Sequence, residues 1–182
     1  MKIAEFANLY NEYLPSIEQM KVRSLKFNSV VDELEIIERK NYLIFTYIID
    51  KESDVMGEKL FQLIEKTNIS KLDPGNIVFY NKIEKSSHVP QGLEFARQND
   101  YQKICLDVRN STIVWYNDES DDIEVIARDV DQFLLFLIES HKNKMDELFN
   151  VEFSKEESRA SLKKLVSQGL SKAIVRDHIS FY

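Results

Sequence analysis

Cysteine, glycine and proline are all scarce in this chain of 182 residues. The single cysteine, Cys105, rules out an internal disulfide and is typical of a protein from a reducing compartment. With only four glycines, the chain contains neither a G-x-x-x-x-G-K-[ST] phosphate-binding loop nor a G-x-S-x-G nucleophile turn. The sequence therefore offers no support for the enzymes that depend on those two loops.

Long apolar runs are absent as well. The longest strongly apolar runs, residues 42–49 and 133–138, are far shorter than the ~20 residues that cross a bilayer. The first fourteen residues contain no uninterrupted apolar core and no small-residue cleavage pattern, as a signal peptide would. We therefore expect a soluble, cytoplasmic protein that has no membrane partner.

Apolar and charged residues are both plentiful. Apolar residues make up 43% of the chain, with eleven Phe and eight Tyr among them, which is enough to build a real core. The formal net charge is −7, so the chain repels phosphate backbones and nucleic acid is not an expected partner. The same charge would attract a basic protein.

Apolar residues follow a helical period in some segments and a strand-like alternation in others. Helices are predicted over residues 3–13, 30–41 and 54–68, and after Asp129, which is placed to cap a helix. Strands are predicted over residues 42–50, 77–83, 103–108 and 112–116, with a short strand or helix entry at 123–127. Residues 42–50 are apolar on both faces, so this strand is expected at the centre of a sheet.

The last forty residues are predicted to form a helical tail. Residues 1–142 are assigned to one domain and residues 143–182 to a tail that docks on it. Beyond Ser154, the apolar residues of the tail helix lie on one face: Leu162, Leu165, Val166 and Leu170. Residues 155–177 carry six bases and three acids, and short helices around Gly169 could imitate a helix-turn-helix. The acidity of the whole chain favours a solvated helical face instead.

Candidate reactive side chains are few and isolated. His88, His141 and His178 are far apart and show no metal-ligand spacing, so a surface or helix-end position is expected for each. Cys105 lies between two apolar strand residues, where a thiol behaves as a small hydrophobe. We therefore predict no catalytic residue, no metal and no cofactor, and the chain is not expected to be an enzyme.

An acidic loop is the one unusual charge feature. Residues 117–131 contain seven acids and one base, Arg128. Calcium would favour such a cluster, but an EF-hand loop needs Gly at its sixth position and Glu at its twelfth, and neither is present. A metal-dependent hydrolase is for that reason a weak alternative. Either a solvated hairpin-to-helix loop or a docking surface for a basic protein explains the charge. The residues predicted to contact a partner are Asp118, Glu119, Asp121, Asp122 and Glu124.

Four consecutive motifs in residues 89–139 resemble the SUKH superfamily. They are a Pro-containing entry, VPQGLEFAR (89–97); a strand, YQKICLDV (101–108); a paired strand, TIVWYND (112–118); and an Ala-led entry to a helix with a Phe-Leu pair, VIARDVDQFLLFLIE (125–139). Many bacterial members of this superfamily are immunity proteins of toxin systems, and fungal members include a regulator of cell-wall synthesis.

The resemblance implies both a fold and a role. The fold would be α+β, with a twisted, mainly antiparallel sheet and helices packed against it. The role would be that of a non-catalytic protein-binding module, an immunity protein that neutralises a co-encoded toxin by direct binding. From charge alone, a basic nuclease would suit such a partner. The alternative is a regulatory or scaffold protein of the same fold with a non-toxin partner. The sequence leaves the oligomeric state open.

Overall fold

The computed structural model describes residues 1–26, 32–72, 74, 77–98, 100–149 and 154–172. Within these ranges the chain forms helices and an open antiparallel sheet in separate segments, so the α+β prediction is confirmed. The helices are α1 Ile3–Glu12, α2 Ile17–Lys26, α3 Glu33–Leu43, α4 Met56–Glu65, α5 Val130–Phe149 and α6 Lys155–Ser167, with a 3₁₀ turn at Ile69–Lys71. The strands are β1 Val78–Lys85, β2 Gly92–Arg97, β3 Gln102–Asp107, β4 Thr112–Asn117 and β5 Ile123–Ala127.

The sheet is a meander in which the strands stand in chain order. Every neighbouring pair is antiparallel, and each strand pairs with the one that follows it in the chain. The β3–β4 pair has an unbroken register from Gln102↔Asn117 to Asp107↔Thr112. Register shifts interrupt the other three pairs, as β-bulges do. β2 was not predicted as a strand.

Helices α4 and α5 pack against one side of the sheet, α1 packs on α5, and together they form the main core with the sheet. Phe133 of α5 lies at the centre, with its ring edge-on to Phe95 of β2 at 5.7 Å and tilted against Phe79 of β1 at 6.4 Å. All three rings are buried, and burying a Phe side chain contributes ~1.5–3 kcal/mol. This helix-covered side therefore provides most of the folding free energy.

The predicted cap of α5 is confirmed. The N–H of Gln132 donates to Asp129 Oδ1 at 2.7 Å, and the N–H of Arg128 donates to Gln132 Oε1 at 2.8 Å. The two bonds satisfy backbone donors at the start of the helix. α5 continues without interruption through Asn143, the residue at which the tail was predicted to begin. Within the described part of the chain, no helix combines the length and apolarity needed to cross a membrane.

The tail helix α6 packs on α5 through the face that the sequence predicts. Leu162, Leu165 and Leu170 are buried in the main core. The Ser154 hydroxyl caps the helix by accepting from the N–H of Glu157, and Gly169 ends it with a φ of +100°. Residues 173–182, which include His178 and any second helix of a helix-turn-helix, lie outside the described residues.

The prediction of a central strand over residues 42–50 is wrong. α3 extends to Leu43, and the following residues form only an isolated bridge, Tyr47↔Thr67. Side-chain amides take the place of a neighbouring strand: Asn11 exchanges two hydrogen bonds with the Phe45 backbone, and Asn68 accepts from the Thr46 N–H. Whether an apolar segment forms a strand depends on the strands available to pair with it. Strands β1 to β5 pair with one another and leave residues 42–50 outside the sheet.

Two side chains depart from the periodicity of their segments. The helical period of residues 30–41 places Leu34 on one face with Ile37, but Leu34 is exposed and Ile36 is the buried residue of α3. Alternation in residues 103–108 places Val108 on one face with Ile104 and Leu106, but β3 ends at Asp107 and Val108 is exposed.

Candidate protein-binding face

The side of the sheet opposite helices α1, α4 and α5 is called the open face here. Side chains alternate along each strand, so Ile104 and Leu106 point into the main core while Lys103 and Cys105 point to the open face. The strand registers place further residues on the open face: Tyr80, Glu94, Val114, Tyr116, Ile123 and Val125. This face combines a small apolar cluster with charged groups, in contrast to the other side.

A loop over residues 86–91 folds across the middle of the open face. Its Val89 forms a second apolar cluster with Cys105, Val114 and Tyr116, and all four are buried. The loop is closed by two backbone bonds, from Gly92 N–H to Val89 C=O at 2.7 Å and from Ser86 N–H to Gly92 C=O at 2.9 Å. The loop thereby encloses the thiol of Cys105.

Cys105 is buried, as predicted. Burial raises the pKa of its thiol to about 12, although a hydrogen bond with the Ser86 side chain acts in the opposite direction. The thiol is therefore protonated at neutral pH, and only a thiolate is an effective nucleophile.

The acidic loop is a tight turn between β4 and β5. The N–H of Asn117 donates to the Asp122 carbonyl at 3.0 Å, and the N–H of Asp121 donates to the Asn117 carbonyl at 2.9 Å. Asp121 has a φ of +57°, a left-handed conformation that Asp tolerates better than most residues. The Tyr116 hydroxyl donates to Asp121 Oδ1 at 2.7 Å. This bond, with burial and the nearby carboxylates, raises the pKa of Tyr116 to about 12.

The five acids predicted to contact a partner occupy four different environments. Asp118 faces inward, with its carboxylate 3.3 Å from Lys103 Nζ and 3.9 Å from His88 Nε2. Glu119 and Asp122 are exposed on the turn, where Asp122 accepts from the Ser120 hydroxyl.

Asp121 supports the turn, as described above, and Glu124 stands apart from the other four acids. It is half-buried, pairs with Trp115 across the strands, and accepts a hydrogen bond from the Ser171 hydroxyl. The structure thus brings four of the five acids, Asp118, Glu119, Asp121 and Asp122, into one turn at the rim of the open face.

A polar network connects the acidic turn to the rest of the open face. Lys103 lies between two carboxylates, 3.3 Å from Asp118 and 3.7 Å from Glu94. Glu94 also accepts from the Tyr80 hydroxyl at 2.7 Å, and burial together with this bond raises the pKa of Tyr80. The network is anchored on three adjacent strands, β1, β2 and β3, and on the turn that follows β4, so its charges are held in fixed positions.

His88 stacks on Tyr116, with the ring centroids 4.2 Å apart and the planes 14° from parallel. The sequence prediction did not find His88, Lys103, Glu94 or Tyr116. Alternation in YQKICLDV does place Lys103 and Cys105 on one side of a strand. Which residues of β2 and β4 meet them depends on strand pairing, which alternation alone does not reveal.

Two exposed apolar side chains lie beside the turn. Ile123 and Val125 are 50% and 54% exposed, and they pair across the strands with Tyr116 and Val114. Among the described strands β5 stands at the edge of the sheet, and its apolar pair lies beside the acidic turn. An exposed apolar pair with a charged rim resembles the layout of protein interfaces.

His141 is buried in the helical layer, which corrects the prediction of a surface or helix-end position. Its ring stacks on Tyr10 with centroids 3.7 Å apart, and its Nε2–H donates to the Tyr10 carbonyl. Burial lowers the pKa of His141 to about 4, although the bond to Tyr10 opposes this effect. Among the described residues, no group of three or more His, Cys, Asp or Glu side chains is arranged to hold a metal ion.

Comparisons of the chain with family models, curated proteins and solved structures found no match. The SUKH resemblance of residues 89–139 therefore stays a prediction.

Proposed function

We propose that this chain is a non-catalytic protein-binding module that neutralises a co-encoded toxin by direct binding, with the open face as its contact surface. The observation that carries the proposal is the acidic turn: its carboxylates stand at the rim of the face, directly beside the exposed Ile123 and Val125. Apolar contacts of this kind supply affinity, and the surrounding charge supplies orientation.

A basic toxin domain, such as a nuclease, is the partner class that suits this surface. The chain carries a net charge of −7, and the turn concentrates exposed carboxylates at Glu119 and Asp122. Complementary charge raises association rates well above the neutral range of ~10⁵–10⁶ M⁻¹s⁻¹. The resemblance of residues 89–139 to the SUKH superfamily supports the same assignment.

A mode of action by binding alone also agrees with the state of two of the candidate reactive side chains, Cys105 and His141. The Cys105 thiol is enclosed and has a raised pKa, and the His141 imidazole is buried against Tyr10. Neither group is available to a substrate in solution.

The first test is a co-expression rescue. The toxic domain encoded beside this gene would be expressed alone and then together with the present chain, followed by a pull-down of the complex. Restored growth with a stable complex is the expected result. A complex without restored growth would favour the regulatory or scaffold alternative, and absence of binding would overturn the proposal.

The role of the turn is tested by charge reversal at Glu119 and Asp122. These two side chains are exposed, whereas Asp121 supports the turn and would perturb it if replaced. The double variant Glu119→Lys, Asp122→Lys should slow association with the toxin by roughly tenfold, with the effect shrinking at high salt. Stopped-flow fluorescence would measure the association rate.

A matched control is Glu38→Lys, Glu65→Lys, which changes two exposed carboxylates on α3 and α4. It alters the net charge by the same amount but leaves the open face intact. Its association rate should stay within about twofold of the parent if local charge governs capture. Equal slowing by both double variants would mean that net charge acts and the turn does not.

A further inference from the structure

The outer edge of β5 has backbone groups that no described strand pairs with. The Asn117 N–H donates to the Asp122 carbonyl, so this pair is a hydrogen-bonded pair of the hairpin. Hydrogen-bonded and non-hydrogen-bonded pairs alternate along an antiparallel ladder. The pairs Tyr116↔Ile123 and Val114↔Val125 are therefore non-hydrogen-bonded pairs. The N–H and C=O groups of Ile123 and Val125 consequently point away from β4.

This edge already accepts one backbone donor. The Ser171 N–H donates to the Ile126 carbonyl at 2.9 Å, just beyond Val125. The segment after α6 thus reaches the Ile126 carbonyl, and no described residue outside the sheet forms a backbone bond with Ile123 or Val125.

Side chains at the same edge determine which kind of added segment would bind there. Ile123 and Val125 offer apolar contact on the open face, and the acidic turn lies at the start of the strand. The opposite edge of the described sheet, β1, carries Lys82 and Lys85 against a single acid, Glu84, which already lies 3.4 Å from Lys82. Charge complementarity therefore singles out the β5 edge for such a segment.

We infer that residues 123–125 of β5 are the docking site for an extended, lysine- or arginine-containing segment of a partner protein, which adds to the sheet as a further strand. The backbone groups of Ile123 and Val125 pair with the segment, its apolar side chains cover these two residues, and its basic side chains face the acidic turn. The biological identity of the partner rests on the proposed function; the chemistry of the edge does not.

The test uses a short synthetic peptide of alternating lysine and valine as the probe. Amide hydrogen exchange of the full chain would be followed by NMR with and without the peptide. The Ile123 and Val125 amides should exchange freely in the unbound chain and slow by at least about tenfold when the peptide binds. The Glu124 amide, which faces β4, should be protected in both states.

A control peptide with N-methyl groups on alternate residues keeps the charge but cannot complete a ladder. It should fail to protect the two amides. Equal protection by the control peptide, absence of binding by the parent peptide, or protection of both amides in the unbound chain would each overturn the inference. The last result would mean that the edge is already filled.

Two matched variants locate the site. Val125→Lys should weaken peptide binding by at least about tenfold through lost apolar contact and added repulsion, a change of ~1.4 kcal/mol. Val78→Lys makes the same replacement at a partly exposed valine on the opposite edge, and should change binding by less than about twofold. Circular dichroism would show that both variants are folded. Equal weakening by the two variants would overturn the assignment to β5.

The toxin complex separates this inference from the proposed function. If the chain neutralises a toxin while the Ile123 and Val125 amides exchange as they do in the unbound chain, the edge inference fails and the proposed function stands. If the peptide adds to the edge but no toxin is neutralised, the proposed function fails and the inference stands.

Discussion

The two sides of the sheet are made by alternate residues of the same strands, yet their composition differs sharply. The helix-covered side presents aromatic and aliphatic groups such as Phe95 and Ile104 to α5. The open face presents Lys103 and Glu94 around a cluster of only four buried residues. Antiparallel sheets commonly divide in this way, with one face in the core and one toward solvent.

From this difference we infer that folding stability comes mainly from the covered side and recognition from the open face. Large buried rings contribute most on the covered side, since the free energy of burial scales with apolar area. On the open face, ion pairs between partly exposed side chains contribute little, with a median of ~0–1 kcal/mol. Substitutions on the open face can therefore alter binding without unfolding the chain.

Phe133→Ala should produce the largest loss of stability. The side chain extends from α5 and is fully buried against β1 and β2. Its removal leaves a cavity among Phe79, Phe95 and Phe136. A reduction of ~3–5 kcal/mol in the free energy of unfolding is expected. Val125→Ala, a truncation on the open face, should cost less than about 0.5 kcal/mol. Urea denaturation of both variants would measure the contrast, and comparable losses would contradict it.

The pH dependence of stability should also originate on the covered side. Burial lowers the pKa of His141 to about 4, whereas an unfolded histidine titrates near ~6.5. The unfolded chain therefore takes up a proton first as the pH falls. The contribution of His141 is fully present above pH ~6.5 and is lost between pH ~6.5 and ~4, by about 3 kcal/mol in total.

His141→Phe keeps a ring against Tyr10 but cannot bind a proton. The variant should show a flatter dependence of the unfolding free energy on pH in this window, measured by denaturation at several pH values. For Asp107 and Asp131, burial opposes ionisation, but hydrogen bonds prevail and hold the pKa of each carboxyl below its ordinary value. The stability that depends on these two ionised carboxylates is therefore lost at a lower pH than the contribution of His141. An unchanged slope in His141→Phe would show that another group is responsible.

The part of the fold predicted from sequence is the part governed by local pattern. β3, β4, β5 and α5 follow in order from alternation, a turn and the Asp129 cap, and all four are found. Residues 42–50 were misassigned because their hydrogen-bond partners, the Asn11 and Asn68 side chains, are 34 and 22 residues away. Nothing in the local pattern of residues 42–50 reveals those amides.

The candidate site likewise has one part that the sequence reveals and another that it does not. The acidic turn is visible in the sequence because its charges are consecutive. Its connection to His88 and Lys103 depends on a loop closing over β3 and on the pairing of β2, β3 and β4. The separation of Glu124 from the other acids follows from strand alternation, which directs its side chain to the face opposite Ile123 and Val125, and Ser171 bonds to it there.

Gly92→Ala should open the loop over the apolar cluster of the open face. A Cβ at this position would lie 2.6 Å from Val89 Cβ and 2.8 Å from the Val89 carbonyl oxygen, so the loop must move. A destabilisation of ~1–3 kcal/mol is expected. Because the loop encloses Cys105, the thiol should also react faster with a disulfide reagent at mildly alkaline pH.

Gly57→Ala is the control for this substitution. Its Cβ would meet no atom within 4 Å, and the residue lies in α4, where Ala is favoured over Gly by ~0.5–1 kcal/mol. It should raise stability slightly and leave the thiol unreactive. A loss of stability in Gly57→Ala equal to that of Gly92→Ala would refute the role assigned to the loop.

The smallest contrast compares one lysine from each side of the sheet. Lys59, on the covered side, is buried and donates both to Asp131 at 2.6 Å and to the Met1 carbonyl. Lys103, on the open face, is partly exposed between Glu94 and Asp118. Lys59→Met should cost ~1–2 kcal/mol, less than a fully buried pair because Asp131 is half-exposed. Lys103→Met should cost less than about 1 kcal/mol.

The salt dependence of the two lysine substitutions should distinguish them further. Raising NaCl from about 0.1 M to about 1 M shortens the Debye length from ~10 Å to ~3 Å, which screens exposed pairs far more than buried ones. The cost of Lys103→Met should therefore nearly vanish at the higher concentration, while that of Lys59→Met should persist. Urea denaturation at both concentrations gives the two differences. If Lys103→Met costs as much as Lys59→Met at high salt, the open face contributes to folding as the covered side does, and its network is structural.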